Sequence, residues 1–178
     1  GKCVALVSDA GTPLLSDPGL LVLQRVREEI GDCPIRPIPG PCAAVAALSA
    51  AGVCSTSFIF GGFLPDQGGK RQQLQLLLRK ARSGLPSTLI LYEAPHRILD
   101  TLEMIADELE DSEQKVAVCR ELTKRFETIL QGRAKDVLQE VTEDPNNQKG
   151  KFVILVDAQS TPTPEREVKA EGGQLSSR

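Results

Sequence analysis

The chain has 178 residues, 40% of them hydrophobic, and a formal net charge of -3, enough apolar content for a packed core in one ordinary domain or two small ones. The acidic balance excludes a global attraction to nucleic acid, so a nucleic-acid partner would need a local basic patch. No apolar run approaches the roughly 20 residues of a membrane span, and five cysteines without CxxC spacing beside a single histidine support neither a disulfide framework nor a zinc site.

The sequence begins with Gly1, lacks a charged region leading into an apolar stretch and a cleavage site, and opens directly on a buried-looking strand at residues 4–8. It therefore reads as a chain without its N-terminal segment. Further short strands, β-branched or leucine-rich, are predicted at 35–38, 57–60, 88–92, 116–119 and 152–156, and several are apolar throughout, as strands covered on both faces are. A helix is predicted over 18–30, with Asp17 as N-cap, Pro18 in the first position and Gly31 as the stop. A second helix over 41–51 has small residues on every side and should be enclosed. Leu74, Leu77, Leu78 and Ala81 repeat at i, i+3, i+4, i+7, as do Ile98, Leu102, Ile105, Ala106 and Leu109 after Pro95, so both segments read as amphipathic helices.

This alternation predicts an α/β fold with largely parallel strands. The pattern restarts at FIFGGF, which puts the join of two lobes near 53–57 and divides the chain into 1–54, 55–158 and a tail at 159–178. The tail is polar and rich in Pro, Gly and Ser, and it reads as disordered because it cannot bury enough surface to offset its ordering entropy.

Two loops carry the chemistry. SDAGTPLLSDPG runs from the first strand into a helix, and IPGPCA runs from the second strand into the next helix. Ligands in doubly wound sheets bind beyond the carboxyl ends of the strands. Either loop alone could be no more than a capped turn; two in succession, with glycines that admit close backbone approach, point to a shared ligand.

SDAGTPLLSDPG, PIPGPCAAVAALSAAG, FGGFLP followed by GKR, LYEAPHR and CRELTK, in that order over residues 2–157, resemble the ribosomal RNA small-subunit methyltransferase I family, a branch of the tetrapyrrole methylase superfamily. The resemblance implies two α/β lobes, each a mostly parallel or mixed sheet flanked by helices and the first incomplete here, with S-adenosylmethionine in the cleft between them. It also implies a homodimer in the cytoplasm (an organelle matrix if the source is eukaryotic) that methylates a cytidine 2'-hydroxyl of small-subunit ribosomal RNA, on the assembled subunit. Carried over by motif, the cofactor would meet Asp9, Ala10, Gly11, Thr12, Leu15, Cys42, Ala43, Tyr92 and Leu122. Glu121 ranks first and Glu93 second as general base. Lys70, Arg71, Arg97, Arg120 and Lys124 would face RNA, although a basic run such as 70–82 is more often a solvated helix face. No metal is expected, and His96 reads as a cap or packing residue.

The chain departs from the family pattern in lacking the TPIGN-type first loop, in Phe126 and Thr128, where the family carries His or Tyr and an acid, and in Lys151, where it carries an acid. A small-molecule methylase of the same fold is the alternative, disfavoured by the SDAGTP form of the loop. An inactive fragment is the other.

Overall fold

The computed structural model describes residues 2–53, 56–83, 85, 87–110 and 113–158. In chain order these form α1 (Leu20–Ile30), α2 (Ala43–Ala50), β1 (Phe58–Phe63), α3 (Lys70–Arg82), β2 (Thr88–Glu93), α4 (Ile98–Glu108), β3 (Lys115–Arg120), β4 (Thr128–Arg133), α5 (Ala134–Glu143) and β5 (Phe152–Asp157). Short 3-10 turns lie at Pro95–Arg97 and Pro145–Gln148.

The five strands make one sheet in the order β1-β2-β5-β3-β4. Only β1 and β2 are parallel; the other three pairings are antiparallel, so the sheet is mixed, one of the two forms that the resemblance implies for a lobe, with fewer parallel pairs than the alternation of elements suggests. The connection 121–127 returns β4 directly alongside β3, and β5 enters between β2 and β3 in the opposite sense.

Strand alternation sorts the apolar residues onto two faces. Leu89, Leu91, Val116, Val118, Phe152, Ile154 and Val156 face α3, α4 and α5, whereas Ile90, Ala117, Cys119, Val153 and Leu155 face α2. Both sides are covered, which is why β2, β3 and β5 read as continuous apolar runs. The helix positions predicted from the 3.6 period, Leu74 to Ala81 and Ile98 to Leu109, are all buried in the first of these clusters. At Gly61 a Cβ would lie 2.8 Å from Leu91 Cδ2 and 2.9 Å from Leu77 Cδ1, so glycine there lets α3 settle close against β1 and β2.

The N-terminal part differs from expectation. Residues 4–8 and 35–38 enter no ladder, and Val4, Val7 and Ile38 are 88%, 82% and 82% exposed. A strand without a neighbour has no partners for its backbone groups. Helix α1 begins two residues late, after Gly19 at φ 129, because the Asp17 carboxylate accepts from the Ser8 hydroxyl at 2.6 Å instead of capping the helix. Helix α2 is covered on one face only: Ala44, Ala47 and Leu48 are buried on the sheet while Val45 is 54% exposed. The expected tail at 159–178 and the centre of the lobe join, residues 54–55, lie outside the described residues. Among the described residues no helix is long and apolar enough to cross a membrane.

Candidate active site

The two glycine-containing loops are tied to each other. The backbone N–H and the hydroxyl of Thr12 both donate to the Pro41 carbonyl, at 3.0 and 3.1 Å. Gly11 sits at φ +77 with room for a Cβ only 3.3 Å from that same carbonyl, a left-handed position that suits glycine. The first loop also holds two non-glycine residues at positive φ, Leu14 at 72° and Ser16 at 61°. Such residues cost on the order of 1–3 kcal/mol each and concentrate at binding sites. Ser16 reaches β1 at its bulge, where a Cβ on Gly62 would lie 3.3 Å from Ser16 Oγ.

Tyr92, near the end of β2, closes the group from the sheet side. Its hydroxyl accepts the Ala44 N–H at 3.1 Å, satisfying one of the unpaired donors at the start of α2. Its ring meets Phe60 and Phe63 edge-on, with centroids 5.1 and 5.6 Å away. Burial pushes the phenol above its ordinary value, opposed by the Ala44 hydrogen bond. Cys42 and Leu122 pack against the same cluster. Thus Cys42, Tyr92 and Leu122 come from three motifs onto one buried cluster, and Gly11 and Thr12 of a fourth adjoin Pro41, next to Cys42 in the chain, with Ala43 following. Asp9, Ala10 and Leu15 lie on the same loop, facing solvent.

Two hollows among the described residues, of about 390 and 310 Å³, are lined by Val45, Leu48, Ser49, Gly52 and Val53 and by residues 106–110, Glu113 and residues 133–136 between α4 and the start of α5. None of the residues expected to hold a cofactor takes part, because the two loops close directly on each other through Thr12 and Pro41.

Glu93, second of the expected bases, lies away from Tyr92. It follows Tyr92 on the same strand and so points to the opposite face, among α3 and α4, where it is 2% exposed. Its carboxylate accepts from Thr101 Oγ1 at 2.6 Å and Ala94 N at 2.8 Å, pairs with Arg97 Nε at 3.2 Å and lies 4.0 Å from Lys70 Nζ. Every acceptor direction is committed, and the group holds structure together instead of facing a substrate. Glu121, at φ 49 just beyond β3, is pinned differently. Its Oε1 accepts from Lys124 Nζ at 2.8 Å and Lys151 N at 2.9 Å, and its side chain fills the space where a Cβ on Gly150 would stand. Lys124 and the Lys151 N–H hold this carboxyl below its ordinary 4.5.

The expected RNA-facing cations are also engaged. Arg97 donates to the Leu64 and Pro65 carbonyls and pairs with Asp66, so it clamps the FGGFLP loop onto Glu93. Lys70 bonds Asp100 at 2.5 Å, and Arg71 bonds Asp107 and Glu108 at 2.7 and 3.2 Å. Arg120 is 8% exposed, donates to Lys149 O and Thr128 Oγ1 at 3.3 Å each, and leaves Nε buried without a partner. His96 is exposed in the turn ahead of α4. Thr101, Thr128 and Gly150 carry site geometry that sequence reasoning missed, since hydroxyls and a glycine in partner segments give no periodic signal.

The sequence is 43% identical over 172 residues to the Ribosomal RNA small subunit methyltransferase I of Pseudomonas aeruginosa, covering 96% of this chain and 58% of that protein. The chain spans little more than half the length of the curated relatives it matches. The fold resembles that of the methyltransferase CobJ, with a TM-score of 0.59 at 21% identity over 86% of this chain and 64% of the other. It also resembles a Thermus thermophilus uroporphyrin-III C-methyl transferase complexed with S-adenyl homocysteine, with a TM-score of 0.50 at 17% identity over 82% and 62%. The pattern of the Tetrapyrrole (Corrin/Porphyrin) Methylases matches residues 1–138, and with the mixed sheet and converging loops already described, the chain belongs to the tetrapyrrole methylase family.

Proposed function

We propose that this chain carries much of an S-adenosylmethionine-dependent methyltransferase acting on a cytidine 2'-hydroxyl of small-subunit ribosomal RNA, working as a cytoplasmic homodimer. The observation that carries this is the joining of Thr12 to the Pro41 carbonyl, next to Cys42, which packs with Tyr92 and Leu122 on one cluster; the names of relatives above 40% identity support small-subunit ribosomal RNA as the substrate class. The residues fit the cofactor. A glycine at positive φ leaves the first loop's backbone close to the second, and the aromatic and aliphatic side chains of the cluster make a water-poor wall.

In this reading Asp9, Ala10, Gly11, Thr12, Leu15, Cys42, Ala43, Tyr92 and Leu122 hold the cofactor, which supplies a methyl group on a positively charged sulfur. Holding the hydroxyl in line behind that methyl asks for position more than for covalent chemistry, and positioning can account for about 7–11 kcal/mol of a barrier. Glu121 stays ionised at neutral pH, a good acceptor for the ribose hydroxyl but a weak base. The rate enhancement is therefore assigned mainly to alignment, and a base contribution of about 10²- to 10⁴-fold is not required of it.

The test is calorimetric titration of S-adenosylmethionine into the protein, followed by transfer of labelled methyl to isolated small ribosomal subunits. Saturable binding weakened by Asp9→Ala, and label on a ribose, are expected. Absence of saturable binding, or label confined to a base or to a small tetrapyrrole, would overturn the reading.

A further inference from the structure

Between β3 and β4 the connection 121–127 is held from three directions. The Glu121 N–H donates to Lys151 O at 3.0 Å, and Lys124 N and Glu127 N continue the turn by bonding Glu121 O and Lys124 O at 3.0 and 3.2 Å. The Glu127 carboxylate accepts from Thr123 N at 2.5 Å. From below, buried Arg120 donates to Thr128 Oγ1, and that hydroxyl donates in turn to the Phe126 carbonyl at 3.2 Å. Two non-glycine residues, Glu121 at φ 49 and Thr123 at φ 64, are kept left-handed by these contacts. A β-branched residue at positive φ is an outlier that persists only where its surroundings over-determine it.

What this frame presents is an aromatic ring. Phe126 is 63% exposed, with the Arg125 guanidinium 5.4 Å from its centroid. Both acids of the connection are engaged within it, Glu121 with Lys151 and Lys124, and the exposed Glu127 with the Thr123 N–H. Beside the ring the exposed cation without an ion pair in the connection is Arg125, because Lys124 is paired with Glu121. Water gains nothing from such a ring, and a rigid loop at a strand end is an expensive way to display one. The chain has few aromatics, and this one belongs to the connection whose Leu122 packs against the same buried cluster as Cys42 and Tyr92.

We infer that Phe126, backed by Arg125, is a stacking platform for an unpaired base of the substrate RNA, at or beside the nucleotide being modified. The inference rests on the RNA-methyltransferase reading and adds to it a specific contact. Base stacking on an aromatic side chain tolerates any base, and the guanidinium contributes both attraction to the ring and charge toward phosphate. Phe126 holds nothing in the described core, so its loss should leave the fold intact.

The experiment measures binding of fluorescein-labelled oligocytidylate by anisotropy for the unmodified protein, Phe126→Ala and Phe126→Tyr, alongside a duplex RNA of equal length and calorimetry with S-adenosylmethionine. Phe126→Ala should weaken single-strand binding by about fivefold to a hundredfold. Phe126→Tyr, which keeps the π-face, should stay within about twofold. Duplex binding should be unaltered, since paired bases are not available to stack. Single-strand affinity untouched by Phe126→Ala, or an equal loss on the duplex, would overturn the inference. A protein that binds S-adenosylmethionine but no oligonucleotide overturns it alone; one that binds neither overturns the functional reading beneath it as well.

Discussion

Replacing Glu93 by Gln tests whether this carboxylate is a structural hub or a base. Its side chain is fully buried and receives Thr101 Oγ1, Ala94 N and Arg97 Nε at 2.6, 2.8 and 3.2 Å, with Lys70 Nζ at 4.0 Å. The amide oxygen can keep the Ala94 N–H, and the Thr101 hydroxyl can rotate to accept from the amide nitrogen, so the main loss is charge facing two cations. Removing one member of a buried ion pair costs about 3–5 kcal/mol. The cation side chains here are 14% and 15% exposed, Arg97 retains the Leu64 and Pro65 carbonyls and Asp66, and Lys70 retains Asp100. The expected cost is therefore lower, about 2–3 kcal/mol. In urea the midpoint should fall with an unchanged slope, and the melting temperature should drop by about 4–12 °C for a chain of this size. A change below about 0.5 kcal/mol, within the range of ordinary surface substitutions, would refute the hub. Undiminished stability with collapsed methyl transfer would restore Glu93 as a base.

Gly61→Ala should destabilise by about 1–3 kcal/mol through overpacking, because the new methyl meets Leu91 and Leu77 at 2.8 and 2.9 Å; a neutral result in the same urea assay would mean that α3 can move away from the sheet. For Glu121 the folded carboxyl lies below its ordinary 4.5, first through the Lys124 hydrogen bond and then through the Lys151 N–H. Its contribution to stability is therefore present above pH 4.5 and is lost as pH falls through the lower folded value. Glu121→Gln should flatten that acid limb, and an unchanged pH profile of the unfolding midpoint would count against the contact. Burial pushes the Cys119 thiol from 9 up to about 11, so its contribution is intact below pH 9 and erodes as pH rises toward 11. At neutral pH it should resist alkylation until the chain unfolds, which mass spectrometry of iodoacetamide-treated protein would check.

Much of the second half of the fold was legible because it obeys a period. Leu74, Leu77, Leu78 and Ala81 repeat on one helix face and are buried there, and β2, β3 and β5 are apolar throughout because both sheet faces are covered. Helix α5 carried the same signal, Ala134, Val137, Leu138 and Val141 at i, i+3, i+4, i+7, and could have been read from it. Strand β4 was harder: it is an edge strand whose alternate residues Ile129, Gln131 and Arg133 face out, leaving little apolar pattern. The strands at 4–8 and 35–38 had strand-like composition, but composition specifies a strand only where a neighbour supplies the ladder. SDAGTP and PGPC were legible as two glycine-containing turns, and their joining through Thr12 and Pro41 does not depend on the strands expected before them. The ion pairs of Arg71 with Asp107 and Glu108 were not, since each partner lies on a different helix.

The motif LYEAPHR joins both jobs in neighbouring residues, and strand geometry separates them. Tyr92 faces α2 and the converging loops, while Glu93 faces α3 and α4 and gathers Lys70, Arg97 and Thr101. Arg120 repeats the arrangement across the sheet: Glu93 and Arg120 are both registered opposite Phe152 on β5, one holding the loop at 64–66 and the other the loop at 121–127. The two deeply buried charges among the described residues therefore stand behind the loops at 64–66 and 121–127, on the sheet face opposite Tyr92. Substitution of either should disturb alignment before it disturbs chemistry, and a site that works mainly by alignment is sensitive to shifts of that kind.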